Sequence, residues 1–233
     1  MEKALSNITV LDLTRVLAGP YCTMMLADYG ANVIKIEMPG KGDDTRAMGP
    51  KKNDYSMYYA YVNRGKKGIT LNLKSEEGKK LFLEMVKKAD VVVENYRPGV
   101  MDKLGVGYDV LKEVNDQIIY AAVSGFGCYG PKHQRPGYDI IAQATSGLMS
   151  ITGEAGGQPL RVGNAMGDVL GGMVASFLAQ GLDALDAATL AVSVHGRAGR
   201  AAARELSVHA VMPEDIICKI GSVLLDLEAE DNS

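Results

Sequence analysis

The sequence predicts an α/β fold in which a parallel sheet carries helices on its faces. Short apolar segments rich in β-branched residues recur through the first 124 residues, and most are followed by a segment with helical spacing of apolar residues. The first such unit takes only about thirty residues, the length of a βαβ unit. Because parallel neighbours must be joined by a crossover, this alternation favours a parallel sheet.

The first unit runs from Ile8 to Glu37. Ile8–Leu13 is predicted to be a strand, Pro20–Asp28 a helix and Asn32–Glu37 the second strand. Proline fixes φ in a first helical turn, and Gly30 suits the position just past a helix end. The unit is therefore expected to be a right-handed crossover between parallel strands.

A second series of alternating elements follows. Ile69–Leu73 is predicted to be a strand, and Ser75 is a plausible N-cap for a helix over Gly78–Ala89. Asp90–Glu94 and Ile118–Ser124 are expected to be the next strands. The remaining predicted elements are helical turns at Pro98–Leu104 and Tyr108–Val114, a loop at Gly125–Pro136, and helices at Tyr138–Ser146, Gly167–Gly181 and Leu185–Leu206.

Composition excludes several functional classes. The chain has 233 residues, 47% of them hydrophobic, with 25 Lys+Arg against 28 Asp+Glu, and it has no long basic run, which disfavours nucleic acid as a partner. No stretch approaches the 18 apolar residues of a membrane span, and the N-terminus does not resemble a signal peptide. Three widely separated cysteines fit neither a disulfide framework nor a metal site, so a reduced, cytoplasmic location is predicted.

A glycine-rich segment, Gly125–Gly130, matches G-x-G-x-x-G after a predicted strand. The dinucleotide fingerprint requires its third glycine at a helix N-terminus, whereas Pro131 follows at once here. A glycine-rich loop on the substrate side is therefore the favoured interpretation.

Basic residues concentrate around Asn63–Lys67. They could bind phosphate groups, or they could form a solvated basic turn. Lys74, Arg97 and Lys103 add cations near the predicted carboxyl ends of strands, the edge where open α/β sheets bind ligands. Tyrosines at 55, 58 and 59 could line an aromatic acyl site or pack a helix on the sheet.

Asp168 stands between glycines where an apolar helix begins, in the sequence AMGDVLGG. An aspartate there could be the N-cap of that helix. Backbone N–H groups around it could equally hold an ionised nucleophile.

Several long stretches together resemble CoA-transferase family III, the family of formyl-CoA and carnitine CoA-transferases. The similarity covers about residues 5–175. The matching stretches are VLDLTRVLAGPYCTMMLADYGANVIKIE, NRGKKGITLNLKSEEGK, VVVENYRPGVMDKLGVGYDVL, SGFGCYGP, RPGYDIIAQATSGLMSITG and PLRVGNAMGDVLGGM. This resemblance implies a Rossmann-like large domain, present here only in part.

The resemblance also implies a reaction and a site. Asp168 matches the family's nucleophile, which attacks an acyl-CoA thioester and forms an aspartyl mixed anhydride before CoA passes to a carboxylic acid. It implies coenzyme A as substrate, no tightly bound cofactor, no metal and a homo-oligomer, since the family forms interlocked dimers. The residues that match CoA-binding or active-site positions are Arg15, Val16, Leu17, Ala18, Leu73, Lys74, Asn95, Tyr96, Lys103 and Tyr138.

A second resemblance concerns the C-terminal part. Residues 169–225 resemble the end of the ADP/ATP-dependent NAD(P)H-hydrate dehydratases, through LAQGLD and HGRAG, so the chain is interpreted as chimeric or truncated. The predicted division is 1–168, 169–225 and an acidic tail at 226–233. Two alternatives to a transferase stay open: a noncatalytic CoA-binding or interaction domain, and a dehydratase fragment.

Overall fold

The structure is a computed structural model that describes residues 3–154, 156–163, 165–179, 184–206, 219–220, 222–224 and 226–227. His209, Cys218 and most of the predicted acidic tail, residues 228–233, lie outside the described residues.

The described part is organised around one five-stranded parallel sheet. The strands of the described residues are β1 Thr9–Asp12, β2 Asn32–Glu37, β3 Lys51–Lys52, β4 Tyr55–Ser56, β5 Lys67–Thr70, β6 Val91–Glu94 and β7 Ile119–Ala122. The sheet order is β5-β2-β1-β6-β7, and every neighbouring pair in it is parallel. The short β3 and β4 form a separate antiparallel pair.

Helices lie between these strands in the chain or follow the last of them, and they cover both faces of the sheet. They are α1 Ala18–Asp28, α2 Met57–Val62, α3 Glu76–Val86, α4 Val100–Lys103, α5 Tyr108–Val114, α6 Asp139–Thr145, α7 Met166–Ala179 and α8 Ala184–Leu206. Two 3₁₀ turns lie at Asp44–Ala47 and Leu148–Ile151. No helix of the described residues is long and apolar enough to cross a membrane.

The predicted fold class is confirmed, and the predicted elements differ mainly at their ends, but β3, β4 and α2 were not predicted. The strand expected at Ile69–Leu73 begins and ends earlier, as β5 Lys67–Thr70. Helix α1 begins two residues before Pro20. The proline still lies in the first turn, where its missing N–H would have had no helical partner.

Neighbouring residues of the central strand point to opposite faces of the sheet. Leu11 packs in a core cluster with Phe82 of α3, whereas Val10 packs in another with Cys22 of α1. This alternation follows from the pleat of a strand. The sheet is therefore a buried layer between two helical layers.

Helix α7 packs directly on α1. A Cβ added at Gly172 would lie 2.7 Å from the carbonyl oxygen of Ala18, so the close approach requires glycine. Met173 of α7 and Ala191 of α8 are buried in the same cluster as Tyr21 of α1. The domain boundary predicted between residues 168 and 169 falls inside α7, and that division stays a prediction.

Candidate active site

A cavity of about 280 Å³ opens at the carboxyl edge of the sheet, the edge where open α/β folds bind ligands. It is formed by the segments that follow β1, β2, β5 and β6. The residues that line it are Leu13, Thr14, Arg15, Ile36, Glu37, Met38, Lys41, Gly42, Asp43, Leu71, Asn72, Leu73, Lys74, Tyr96, Val100 and Leu104.

Four of the sequence-predicted CoA-binding residues line this cavity: Arg15, Leu73, Lys74 and Tyr96. The guanidinium carbon of Arg15 lies 5.6 Å from the centroid of the Tyr96 ring. Apolar walls with cations at the opening suit a ligand that has both an aromatic or aliphatic part and an anionic part.

The loop after β1 is held by Asn95. Its Oδ1 accepts a hydrogen bond of 2.8 Å from the backbone N–H of Arg15, and its Nδ2 donates one of 2.7 Å to the carbonyl oxygen of the same residue. Val16 follows with a φ of 71°, and Leu17 and Ala18 lead into α1. A β-branched residue rarely adopts a positive φ, so the surrounding contacts must fix this conformation.

A buried ion pair lies behind the same loop. Lys35 Nζ is 3.0 Å from Asp43 Oδ2, both side chains are 1% exposed, and Lys35 also donates a 2.8 Å hydrogen bond to the carbonyl oxygen of Thr14. Burial opposes ionisation of Asp43, but Lys35 and two hydrogen bonds from Thr45 outweigh it and hold the pKa of that carboxyl below its usual value. Asp43 is therefore ionised at neutral pH.

A second buried pair joins β1 to the segment before β5. Lys66 Nζ lies 2.9 Å from Asp12 Oδ2 and also donates to the carbonyl oxygen of Pro20 and to Asn63 Oδ1. Burial favours neutral Asp12, yet Lys66, Lys35 and hydroxyl donors keep the pKa of Asp12 low. Burial lowers the pKa of Lys66.

The basic residues of the segment Asn63–Lys67 lie in different environments. Lys66 is buried in the pair with Asp12. Arg64 pairs with Asp28 at the surface, and Lys67 donates a 2.7 Å hydrogen bond to Asn32. Lys66 fits neither interpretation, because its ammonium is buried against Asp12 and faces neither solvent nor a ligand.

The three candidate tyrosines differ in exposure and in their contacts. Tyr55 is 76% exposed. The hydroxyl of Tyr59 accepts a 2.7 Å hydrogen bond from Arg46 and donates one of 3.3 Å to Glu37. Burial, together with the charges of Asp168 and Asp43, raises the pKa of Tyr58 to about 12.

Asp168 is the third residue of α7 and partly buried. Since the helix begins two residues earlier, Asp168 is not its N-cap residue, and the structure contradicts that interpretation. Burial and the nearby charge of Asp139 raise the pKa of Asp168 to about 6. A carboxylate in the first turn of a helix is also favoured by the helix dipole, which supports its ionised form at neutral pH.

The segment before α7 is anchored by α6. Asp139 Oδ1 accepts a 2.9 Å hydrogen bond from the N–H of Gly167, and Asp139 Oδ2 accepts one of 2.7 Å from Gln143. The buried Gln143 in turn accepts a 2.8 Å bond from the N–H of Val162. These bonds fix the backbone that precedes Asp168.

Some predicted site residues do not reach the cavity. Asp168 and Lys103 are absent from its lining, and Lys103 lies exposed at the end of α4. Tyr138 is 72% exposed and precedes α6. Within the described ranges, no group of three or more His, Cys, Asp or Glu side chains could hold a metal ion.

Comparison with known proteins decides the family. The model of CoA-transferase family III matches residues 5–198. The chain belongs to CoA-transferase family III. It is 54% identical over 168 residues to the acetyl-CoA:oxalate CoA-transferase of Acetobacter aceti, covering 72% of this chain and 43% of that protein. It is 50% identical over 174 residues to the human succinyl-CoA:glutarate CoA-transferase, covering 74% and 40%.

Solved structures of the family agree. A CAIB/BAIF family protein from Brucella suis superposes with a TM-score of 0.74 at 38% identity, over 85% of this chain and 51% of that one. The chain therefore spans about two fifths of the length of these curated relatives and half of this solved neighbour.

The family match also bears on the C-terminal part. It runs to residue 198, through α7 and into α8, and so covers more than half of the segment 169–225 that resembled the NAD(P)H-hydrate dehydratases. The dehydratase resemblance, and with it the interpretation of the chain as chimeric, is not supported by these comparisons.

Proposed function

We propose that this family III member transfers coenzyme A from an acyl-CoA to a small carboxylic acid, with Asp168 as the nucleophile. One observation carries the proposal: Asp168 is a partly buried carboxylate whose pKa lies near 6 at the start of a helix. Burial removes part of its hydration shell, while at neutral pH it is still mostly ionised. That combination makes a carboxylate nucleophilic without a separate base.

The proposed reaction balances without a proton donor. A carboxylate oxygen of Asp168 attacks the thioester carbonyl carbon, an acyl–oxygen bond forms, and the carbon–sulfur bond breaks to release the CoA thiolate. The acceptor carboxylate then attacks the aspartyl carbonyl and displaces the donor acid, which leaves a new mixed anhydride. The thiolate finally attacks the acceptor's carbonyl carbon and regenerates the Asp168 carboxylate. Water must be excluded throughout, since it would hydrolyse the anhydride.

We assign the cavity at the sheet edge to part of coenzyme A. Its lining combines apolar residues with Arg15, Lys41 and Lys74, which fits a nucleotide with phosphate groups. Asp168 lies in the first turn of α7, so the proposed reaction requires the thioester end of the ligand to extend from the cavity toward α7. Val16, Leu17, Ala18 and Asn95 would act through the loop that borders the cavity.

An exchange assay tests the proposal. The chain is incubated with acetyl-CoA and oxalate, glutarate or succinate, and new CoA thioesters are identified by mass spectrometry. Formation of a new thioester with release of acetate is the expected result. If CoA binds but no transfer occurs, the chain is a noncatalytic CoA-binding domain, and the proposed activity is wrong.

Asp139→Asn is expected to lower the pKa of Asp168, because it removes the carboxylate that opposes its ionisation. Reaction with acetyl-CoA should follow the ionised fraction of Asp168, rising with pH to half its plateau near pH 6 in the unmodified chain. In the variant this midpoint should move to lower pH. The measurement is the initial rate of adduct formation between pH 4.5 and 8, and an unchanged midpoint would show that Asp139 does not set it.

Asp44→Asn is expected to tighten CoA binding about three- to fivefold at low salt. Asp44 forms ion pairs with two cations that line the cavity. Its Oδ2 lies 3.6 Å from Arg15 Nη1, and its Oδ1 lies 2.9 Å from Lys41 Nζ. All three side chains are well exposed, so these pairs contribute little stability. Calorimetric titration with CoA at 20 and 300 mM salt measures the gain, which should shrink with salt. Weaker binding by the variant would argue against phosphates at Arg15 and Lys41.

A further inference from the structure

Two loops that border the cavity are tied together by one buried lysine. Lys35 lies on β2 and donates its Nζ to the carbonyl oxygen of Thr14, in the loop after β1, at 2.8 Å. The same Nζ lies 3.0 Å from Asp43 Oδ2, in the loop after β2. The ammonium therefore fixes the spacing of two segments that come from neighbouring strands.

Asp43 completes the connection from the other side. Its Oδ1 accepts a 3.2 Å hydrogen bond from the N–H of Val16, the residue with the positive φ, and bonds of 2.9 and 2.7 Å from the N–H and hydroxyl of Thr45. Its own N–H donates 2.9 Å to Glu37 Oε1. Asp43 is thus oriented by three partners and in turn holds the strained residue.

Stability alone does not account for this pair. Removing two charges from water is costly, and buried ion pairs can often be replaced by apolar side chains without loss of stability. The observations point instead to conformational specificity, because the pair's contacts converge on the Thr14–Leu17 segment and Thr14 and Arg15 line the cavity.

We propose that Lys35 and Asp43 are positioning residues. Through the Asp43–Val16 hydrogen bond, they hold the Thr14–Leu17 segment in the conformation that receives coenzyme A. This inference rests on the proposed function. The pair sets the affinity for coenzyme A. It does not set the reactivity of Asp168, whose position is fixed separately by α6 and α7.

Two matched double variants test the inference: Lys35→Met with Asp43→Asn, and Lys35→Met with Asp43→Leu. Both lack the ion pair and neither leaves an unpaired buried charge. Asparagine keeps an acceptor for the N–H of Val16, whereas leucine of similar size does not. CoA affinity is measured by calorimetry, and the KM for acetyl-CoA and the plateau rate of hydroxylamine-trapped adduct are measured on the same samples.

The asparagine variant is expected to bind CoA at least tenfold more tightly than the leucine variant, with KM moving accordingly and the plateau rate at saturating acetyl-CoA unchanged. If the role were merely structural, the leucine variant would be less stable to heat than the asparagine variant. The two variants would then not differ in KM for acetyl-CoA at an unchanged plateau rate. Equal affinities in the two folded variants would overturn the inference.

Two controls separate this inference from the proposed function. Asp28→Asn breaks an ion pair with Arg64 at the far end of α1, and CoA affinity should stay within twofold of the unmodified chain. If the unmodified chain binds no CoA, the assignment of the cavity to coenzyme A is wrong and the inference falls with it. Binding by the unmodified chain together with equal affinities in the two double variants overturns the positioning role alone.

Discussion

Asp168→Asn is expected to abolish both CoA transfer and adduct formation, with a loss of at least about 10³-fold. The amide is close in size to the carboxylate but cannot attack a thioester, and no step of the proposed reaction proceeds without that attack. The measurement is the yield of aspartyl hydroxamate after incubation with acetyl-CoA and hydroxylamine. Asp28→Asn, at the surface end of α1, is the matched control and should still form the adduct.

The same substitution should make the protein more stable. Because the pKa of Asp168 is raised to about 6 in the fold, ionisation of Asp168 costs the native state free energy that the unfolded state does not lose. The cost is absent below about pH 4, grows as pH rises toward 6, and is complete above pH 6. Solvent screening of this partly exposed group reduces the effect. Asp168→Asn should therefore raise the free energy of unfolding by about 1 kcal/mol at pH 8.

Urea denaturation at pH 8 and pH 4 measures this difference, which should nearly vanish at pH 4. A stabilised but inactive variant is the signature of a residue retained for chemistry rather than for folding. A variant that is destabilised at pH 8 would instead favour a structural role for the Asp168 carboxylate.

Lys66→Met is expected to destabilise the fold by about 3–5 kcal/mol, because it leaves the fully buried Asp12 without its main counter-charge. The carbonyl oxygen of Pro20 and Asn63 Oδ1 would also lose their donor. The measurement is the free energy of unfolding at pH 7 from urea titration. A loss below 1 kcal/mol would show that the pair is accessible to water.

The double variant Lys66→Met with Asp12→Leu is the informative control. It removes both charges, so most of the stability should return. The hydroxyls of Thr14 and Thr23 lose Asp12 as an acceptor in this variant, which makes recovery incomplete. A double variant no more stable than Lys66→Met alone would mean that losing these hydroxyl bonds costs as much free energy as removing the unpaired Asp12 charge gains.

The main features of the fold could be predicted because they depend on local pattern. The apolar β-branched segments became β1, β2, β6 and β7 nearly as predicted, and the long helix expected at Leu185–Leu206 is α8, Ala184–Leu206. Parallel pairing followed from the crossovers. The strand before α3 was displaced because β5 is an exposed edge strand, with every residue exposed, and so has little apolar signal.

The candidate site could be predicted only in part. Arg15, Leu73, Lys74 and Tyr96 were identified through the family resemblance, and their strands bring them to one cavity. Lys35 was missed, because its place in the alternating segment NVIKIE is typical of a solvent-facing residue, yet its side chain is 1% exposed. Asp12 and Lys66 gave no signal in spacing, since only the fold brings them together.

The proposed reaction requires Asp168 to form a covalent acyl intermediate. The most direct test is intact-mass spectrometry of the chain after incubation with acetyl-CoA and hydroxylamine, followed by peptide mapping, with Asp168→Asn measured in parallel. The proposed reaction predicts a hydroxamate at Asp168 in the unmodified chain and none in the variant. A folded, CoA-binding sample without this adduct, or the same adduct in the Asp168→Asn variant, would contradict it.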